Sequence, residues 1–392
     1  MTALVIIDYV LFVTIAVSVA YVAIFAFASL LPRCRAHRNE EARPNFLVII
    51  PAYKEDNVIL DTVEATLRQD WPLFTLCVAA DSMSEQTMSH LKSLPLALAV
   101  NNSDIHTKAH ALKLAMLTVF DPTVHTHVVI IDADNIIQPS TLTRLAPYCT
   151  HDTVAIQAHR CAKNTNTPIA ILDAVSEEIN NSVFRLGHNN LGLSSALIGS
   201  GMCFKASWFD QAVKHIETVG EDKELERMLL LDKQHITYLP DIYVLDEKVS
   251  DSQNFGLQRR RWLAAQFVNL KQMLTFLPSA LRHANLDYID KTLQQALIPR
   301  SLLIALTVLL TAVTTLLQLT LRHYDGAAKW WVMTSVLLIA LLCAVPRRLY
   351  NRQLLQALLS LPLLILRMAG SLFHLRGASS TFLHTQHGTN NK

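Results

Sequence analysis

Hydrophobic positions along this chain fall into two regimes. In one they run on without a charge: 24 residues over 9–32, 21 over 301–321 and 17 over 330–346. Each run is near the ~20 residues that a helix needs to cross a hydrocarbon core. In the other regime, between about 39 and 297, short apolar runs alternate with helical spacing. The runs FLVIIPAY (46–53), FTLCVAAD (74–81) and HVVIIDAD (127–134) suit strands covered on both faces, and LALAV (96–100) reads as a weaker strand. Between them, 57–69 and 106–120 carry apolar residues three and four apart, as helices with one buried face do, and another helix is expected around 84–94. This β-α-β-α order predicts an open α/β unit with a mostly parallel sheet.

The flanks of the uncharged runs set an orientation. Asp8 is the only charge before Arg33, so the first run lacks the basic segment of a signal peptide, and it far exceeds the roughly 7–15 apolar residues of one. It reads as an uncleaved anchor. Arg33, Arg35 and Arg38 follow the first run, and Arg347, Arg348 and Arg352 follow the third. The positive-inside rule places both clusters, and the unit between them, on the cytoplasmic face of the plasma (inner) membrane. A fourth apolar stretch, 353–366, has only 14 uncharged residues before Arg367, a length suited to a helix lying in the interface. The segment 267–281 is amphipathic enough for the same position. The expected organisation is a membrane anchor at 1–38 and a cytoplasmic α/β domain at 39–265. Interfacial helices follow at 266–298, two transmembrane helices at 299–347, and an interfacial helix with a cytoplasmic tail at 348–392.

Composition narrows the function classes. Half the residues are hydrophobic (51%) and only 17% are charged, which is greasy for a soluble protein and agrees with membrane spans. The 6 cysteines form no CxxC pair, which suits reduced thiols rather than a disulfide framework or a zinc site. A net charge of +2 without a basic-aromatic stripe implies no nucleic-acid partner. No G-x-G-x-x-G and no P-loop occurs, so dinucleotide and ATP readings lack their glycines. His106 with His110, and His384 with His387, have helical spacing but no evident third ligand, and read as non-metal. The NNS triplets at 101–103 and 180–182 match glycosylation sequons that a cytoplasmic domain would never present to the modifying enzyme.

Open α/β sheets bind ligands beyond the carboxyl ends of their strands. Here those ends collect Tyr53, Lys54 and Glu55, then Asp81, then Asp132 and Asp134. Carboxylates gathered on one edge repel each other unless a cation or a donor-rich ligand sits among them. Asp132 and Asp134, at i and i+2, suit magnesium or manganese, which keeps positions open for substrate phosphates. The alternative is a strand-end turn built on Asp134 and Asn135. A phosphatase of the haloacid-dehalogenase type also ends a strand in DxD, but it has Thr or Val where Ile136 stands, and two strands precede the motif here. Glu221 and Asp222 open a helical pattern at 218–230, either as chemistry or as partners of the helix dipole. QRRRW at 258–262 sets three arginines beside a tryptophan, facing lipid headgroups or an anionic substrate group.

PAYKED, ADSMSEQT, HTKAHAL, DAD, GSGMCFK, GED and QxxRW (Gln258, Arg261, Trp262) follow one another in this order over roughly 45–265. In that succession the chain resembles the membrane-integrated family-2 glycosyltransferases, the branch of cellulose, hyaluronan, chitin and poly-N-acetylglucosamine synthases and of ceramide glucosyltransferases. The resemblance implies a GT-A nucleotide-sugar-binding fold flanked by transmembrane and interfacial helices. It also implies a UDP-sugar donor with a divalent metal, Mg or Mn. Tyr53, Glu55 and Asp81 would hold the uridine end with Lys108 nearby, and Asp132 and Asp134 the metal on the diphosphate. Gly199 and Gly201 would shape the acceptor side, with Lys205 where the family usually has Arg. Asp222 would be the catalytic base, with Glu221 second. Gln258, Arg261 and Trp262 would close over diphosphate and acceptor, leaving Arg259 and Arg260 to lipid or solvent.

Three departures stand out: ADSMSEQT lacks the DDGS form of many members, so the second carboxylate of that form is missing and only Asp81 carries over, Gly220 stands where Thr is usual, and no glycine occurs in LAAQF after Trp262. The last argues against long-chain synthesis, not against glycosyl transfer. The resemblance thus implies an inverting transfer to a polysaccharide or growing glycan with a β-linked product. The alternatives are transfer of one sugar to a lipid acceptor, or an inactive member acting as a membrane subunit of another synthase. Three spans are few for a self-contained channel, so export of product would require an export subunit or a homo-oligomer.

Overall fold

A computed structural model of the chain describes residues 2–33, 36–218, 220–248, 252–321 and 325–358; for 2–4 and 252–264 it describes the backbone alone. The strands are β1 Phe46–Tyr53, β2 Phe74–Asp81, β3 Ala97–Val100, β4 His127–Ile130, β5 Ile136–Ile137, β6 Ala155–Ala162, β7 Met202–Lys205 and β8 Ile236–Asp246. The helices are α1 Thr2–Ala28, α2 Ile59–Leu67, α3 Glu85–Ser93, α4 Lys108–Val119, α5 Thr141–Leu145, α6 Pro168–Asn181, α7 Gly187–Asn190, α8 Ala206–Ala212, α9 Glu221–Leu231, α10 Ser252–Arg282, α11 Leu286–Ala296, α12 Arg300–Thr320 and α13 Ala327–Ala344.

The strands join in one 8-stranded sheet, ordered β3-β2-β1-β4-β7-β6-β8-β5. The β3-β2-β1-β4 half is parallel, β7 runs antiparallel between β4 and β6, β6 pairs parallel with β8, and β5 closes the edge antiparallel. The sheet is therefore mixed, with β7 and β5 alone running against the rest. Alternation along β1 explains its continuous apolar run. Leu47 and Ile49 pack with Leu112, Ala115 and Met116 of α4 and with Leu225 and Leu229 of α9. Phe46, Val48 and Ile50 face the other way, toward Ile59 and Val63 of α2 and Leu91 of α3. Successive side chains of a strand point to opposite faces, so a strand covered on both sides has no polar positions to spare. The helices start where the sequence supplies caps: Ser84 accepts from Thr87 N (3.2 Å), Thr107 from His110 N (3.1 Å) and Thr167 from Ala170 N (3.1 Å).

One expected strand is cut short. HVVIIDAD was expected to be extended to residue 134, but β4 ends at Ile130. The chain then leaves the sheet in a turn: Asp132 N donates to Ser200 Oγ (3.0 Å), and Asn135 N to the Asp132 carbonyl (3.1 Å). The polar half of the run hydrogen-bonds to loops and side chains instead of to a neighbouring strand.

Among the described residues, three helices are long and apolar enough to cross a membrane: Val5–Ala28, Arg300–Thr320 and Ala327–Ala344. The first begins earlier than the uncharged run and carries Asp8 inside it. That carboxylate accepts from Trp330 Nε1 (2.7 Å) and from Lys329 Nζ (2.6 Å), so the charge is satisfied within the bundle. Apolar side chains of the three helices pack together around Trp330 and Leu337, along with Ile179 and Val183. The bundle is docked tightly on the α/β unit. After α6 a π-helical turn, Ser182–Leu186, leads into α7, whose Gly187 lies so close to α1 that a Cβ there would sit 2.1 Å from the Phe25 carbonyl oxygen. The Phe25 ring stacks on His188 with centroids 3.7 Å apart, and the Tyr21 hydroxyl donates to Asp290 of α11 (2.8 Å). Asn190 Nδ2 donates to the Ala28 carbonyl (3.0 Å), tying the end of α1 to the same corner.

On α10 and α11, Phe267, Leu274, Leu281 and Leu286 are exposed. Residues 352–358 are helical, while the remainder of the fourth apolar stretch and the tail lie outside the described residues.

Candidate active site

The carboxyl ends of β1 and β2 deliver Tyr53 and Asp81 side by side, as their parallel register requires. Each is followed by a residue in left-handed backbone, Lys54 (φ 56°) and Ser82 (φ 54°). Non-glycine residues adopt this conformation at a cost, and such strain collects at functional sites. Asp81 is buried and held from three sides: Ser82 Oγ donates to Oδ1 (2.8 Å), Asn101 Nδ2 to Oδ2 (2.9 Å), and His106 Nδ1 lies 2.9 Å from Oδ1. The His106 ring lies beside Tyr53, with centroids 5.2 Å apart. His106 and Asn101 were not expected in the site. The only hint was that HTKAHAL carries both the histidine and Lys108.

Lys108 opens α4 under the Thr107 cap. Its Nζ reaches Asp132 Oδ1 (2.5 Å), Glu221 Oε1 (2.9 Å) and the Gly199 carbonyl (2.9 Å). One ammonium thus links the DAD turn, the glycine loop before β7 and the start of α9. Burial alone would lower the pKa of Lys108, but Asp132 and Glu221 raise it above its ordinary value. Burial, with Asp222 next door, raises that of Glu221, against the pull of Lys108. Asp222 is less enclosed, and its Oδ1 accepts from Lys223 N (2.9 Å) in the first turn of α9. Acidic groups there also meet the positive end of the helix dipole.

The glycines diverge. Gly199 (φ +81°) borders the cavity, and a Cβ there would lie 3.3 Å from Lys108 Nζ. Gly201 (φ +68°) instead packs into the sheet, where a Cβ would come within 2.8 Å of Val244 Cγ2 and 3.2 Å of Ala158 Cβ. Gly201 was expected on the acceptor side. The packing places it behind the site, because its neighbours are core side chains of β6 and β8.

Behind Asp134 runs a buried ionic network. Asn135 Nδ2 donates to Asp134 Oδ1 (2.8 Å) and to Asp246 Oδ1 (3.0 Å). Lys248 Nζ reaches Asp246 Oδ2 (2.6 Å), and Arg160 Nη2 donates to Glu177 Oε2 (3.0 Å). Asn135 is therefore more than a turn former. It fixes the second aspartate of the motif to β8. Nothing in the local spacing announces this network, since its members come from β6, α6 and the end of β8, with Lys248 two residues beyond it.

Tyr53, Glu55, Asp81, Lys108, Asp132, Asp134, Gly199, Glu221 and Asp222 all border one cavity of about 1030 Å³. Gln258, Arg261 and Trp262 lie on α10, and their side chains are outside the described residues. The far wall of the same cavity is apolar and comes from the membrane-type helices and their neighbours: Val22 of α1, Leu172, Val175 and Ile179 of α6, Ile304 of α12, and Leu338, Leu341 and Leu342 of α13. Among the described residues, no three His, Cys, Asp or Glu side chains converge as a ready-made metal cage. Asp132 and Asp134 do fit an ion that is completed by its substrate. Magnesium-type sites on nucleotides use one or two carboxylates, with the other positions taken by phosphates and water.

A curled mixed sheet of this order, with carboxylates at its ligand edge, is a GT-A-like α/β fold, the fold of nucleotide-sugar transferases. The family model described as glycosyltransferase-like family 2 matches residues 44–265, and the chain belongs to that family. No curated protein matches the sequence. Solved structures resemble it at low identity. The mannosyltransferase PcManGT from Pyrobaculum calidifontis, in complex with GDP-Man and Mn2+, is 17% identical over 84% of this chain and 98% of its own, with a TM-score of 0.48. TarS 1-349 from S. aureus, in complex with UDP-GlcNAc, is 16% identical over 86% and 90%, at 0.42. Glucosyl-3-phosphoglycerate synthase from Mycobacterium tuberculosis, with Mn2+, UDP and phosphoglyceric acid, is 14% identical over 58% and 78%, at 0.41.

Proposed function

We propose that this glycosyltransferase is membrane-bound and inverting, and moves one sugar from a UDP-sugar to a lipid acceptor, giving a β-linked product. One observation carries the reading: the carboxylate cluster and an apolar wall of membrane-type helices border a single cavity. A growing polysaccharide is served by the same chemistry, but a hydrated glycan gains nothing from a lining of Leu, Ile and Val, whereas an acyl or isoprenoid chain does. The catalytic unit is cytoplasmic in this reading, with α10 and α11 along the interface.

Tyr53, Glu55 and Asp81 receive the uridine end. Asp81, held by Asn101 and His106, is a preorganised acceptor that spends no ordering entropy when the base arrives. Asp132 and Asp134 hold a divalent ion, which when bound neutralises charge on the departing diphosphate as a Lewis acid. Lys108 adds a fixed positive charge beside it, and Gln258, Arg261 and Trp262 close the site. Asp222 takes the proton of the acceptor hydroxyl as that oxygen attacks the anomeric carbon. Glu221 is the weaker choice for this step, because Lys108 already engages its Oε1. In one displacement the carbon–oxygen bond to the diphosphate breaks, its electron pair leaves with UDP, and the anomeric centre inverts. The ordered site carboxylates argue against an inactive subunit.

The test is transfer of radiolabel from a panel of UDP-sugars by membranes containing the protein, with and without chelator. Label extracted into organic solvent, lost with chelator and restored by manganese, supports the proposal. Label confined to a water-soluble polymer refutes it.

A further inference from the structure

A second cavity, of about 340 Å³, lies where the membrane bundle meets another face of α6. α6 turns Glu178 and Asn181 toward it, and Ser176, Ile179 and Asn180 toward the large cavity. Among the described residues the two cavities share no lining side chain. The volume is within the range of small-ligand sites. The π-helical turn Ser182–Leu186 gives both of its end residues to the wall. Turns of this kind are rare and recur at functional sites.

The bundle fixes the depth of this cavity. Asp8, near the start of α1, meets Lys329 and Trp330 near the start of α13, so the two spans run side by side in the same direction. Their carboxyl ends, Ala28 and Ala344, therefore reach the same membrane face. Arg33 and Arg348, which follow them, both border the cavity. In the cytoplasmic orientation this is the headgroup level of the inner leaflet, where basic residues and tyrosines collect. Tyr243 supplies an aromatic wall, and the Tyr238 hydroxyl lies 2.6 Å from His159 Nδ1 beneath it.

Both arginines have donors to offer. Arg33 pairs with Asp241, but the two side chains are 55% and 58% exposed, and an exposed pair exchanges partners at little cost. Arg348 pairs with the buried Glu178. A guanidinium carries five N–H donors in a rigid fork, more than one carboxylate contact uses, and the fork matches phosphate oxygens. Burial would raise the pKa of Glu178, yet His159 and Arg348 bring it below its ordinary value, so this carboxylate is already balanced. The Ala344 carbonyl, at the negative end of α13, is taken by Ser182 Oγ (2.6 Å). Arg347 and Arg352 stand exposed on either side of Arg348 in the chain.

Basic pockets between membrane helices on the cytoplasmic side recognise anionic headgroups. We infer that this cavity binds the phosphate group of an anionic membrane lipid, held by Arg33 and Arg348 from the ends of two spans. The inference rests on the membrane-bound, cytoplasmic reading above and is independent of the acceptor. A phosphate bridging the two arginines ties α1 and α13 to α6, whose other face borders the active-site cavity.

The test uses the full chain purified in an uncharged detergent. Radiolabelled dioleoylphosphatidylglycerol and dioleoylphosphatidylcholine are added separately, and lipid retained after gel filtration is followed against lipid concentration. The anionic lipid should be retained saturably, with a preference of roughly tenfold over the zwitterionic one, and Arg33→Gln and Arg348→Lys should each lower its retention roughly tenfold. The lysine keeps a counter-charge for Glu178 and loses only the fork. Unchanged melting temperatures show that both variants are folded. Inorganic phosphate that displaces the label as readily as unlabelled lipid marks a site for free phosphate and overturns the lipid assignment. Equal retention of the two lipids, or retention that neither variant lowers, overturns it too. Alkaline carbonate extraction of native membranes tests the membrane reading by itself. A chain released into the supernatant removes that reading, whereas a chain that stays in the pellet without preferring the anionic lipid overturns this inference alone.

Discussion

The two ends of the cavity are built by opposite means. At one end, charged side chains at the carboxyl ends of strands are each held by neighbours: Asp81 by Asn101 and His106, Asp132 by Lys108, Asp134 by Asn135. At the other, Leu338 and Leu342 of α13 are roughly half exposed, at 43% and 54%, and no hydrogen bond can fix an alkyl chain. A preorganised polar end suits a reaction in which charge develops at fixed points. An apolar end without directional contacts suits a ligand recognised by area alone. Chemistry and acceptor recognition should therefore be separable by mutation.

The largest expected effect is at the polar end. Asp222→Asn should reduce transfer by ~10²–10⁴-fold, the usual worth of a general base, with little change in donor affinity. Titration of UDP-sugar binding beside initial rates separates the two, and a variant that binds donor weakly but turns over normally would remove Asp222 from the base role. Asp134→Asn should lose activity and respond to raised manganese, since one carboxylate of the pair remains. A variant indifferent to chelator and manganese would sink the metal assignment. Next in size is the apolar end. Leu338→Ala with Leu342→Ala removes several methylenes at ~0.8 kcal/mol each when fully buried by ligand. Partial burial brings the expected rise in KM for lipid to roughly tenfold, with UDP release in the absence of acceptor unchanged. If UDP release falls in parallel, the two ends are not independent.

The difference between the ends also explains what could be read from the sequence. β1, β2, α2 and α4 were readable because continuous Val/Ile runs and three-to-four spacing are local patterns. The same held for Asp81, Asp132, Asp134, Glu221 and Asp222, which sit in short motifs at strand or helix ends. What could not be read comes from distant segments. The pairing of Arg160 with Glu177 joins β6 to α6, and Lys108 to Glu221 joins α4 to α9. The apolar wall needs Val22, Ile179, Ile304 and Leu338 from four helices. In a linear reading each of these is simply one more core or membrane residue. Gly199 and Gly201 share a motif and left-handed backbone, so sequence could not tell them apart. Only their neighbours do.

Those two glycines sharpen the comparison at smaller scale. Each alanine substitution incurs ~1–2 kcal/mol for left-handed backbone. At Gly199 the added Cβ meets the far end of a flexible lysine, which can shift by a few tenths of an ångström. The expected result for Gly199→Ala is a several-fold loss of kcat through displaced Lys108, with modest destabilisation. At Gly201 the Cβ would overlap Val244 in a packed core, so Gly201→Ala should lower the melting temperature and protein yield more than it lowers the activity of surviving molecules. The reverse pattern would mean that Gly201 faces the acceptor after all.

The smallest effect near neutrality, and the one that grows with acid, concerns the network behind Asp134. Burial would raise the pKa of Glu177, yet Arg160, Lys248 and Arg185 hold it well below the ordinary carboxylate range. Asp246 is depressed likewise, with Lys248 and Arg160 outweighing its burial. A carboxyl depressed in the folded state contributes its stability in full above its unfolded pKa. That contribution is lost as pH falls through the ordinary range toward the depressed value, because the unfolded chain takes up protons first. Thermal unfolding of the solubilised protein should therefore be insensitive to these groups above about pH 6 and fall steeply below about pH 4.5. Glu177→Gln should start from a lower melting temperature, because buried Arg160 and Lys248 lose a counter-charge, and show a shallower acid slope, because one depressed carboxyl is gone. An acid slope unchanged by Glu177→Gln would place the acid sensitivity elsewhere, and Asp246→Asn would then be the variant to compare.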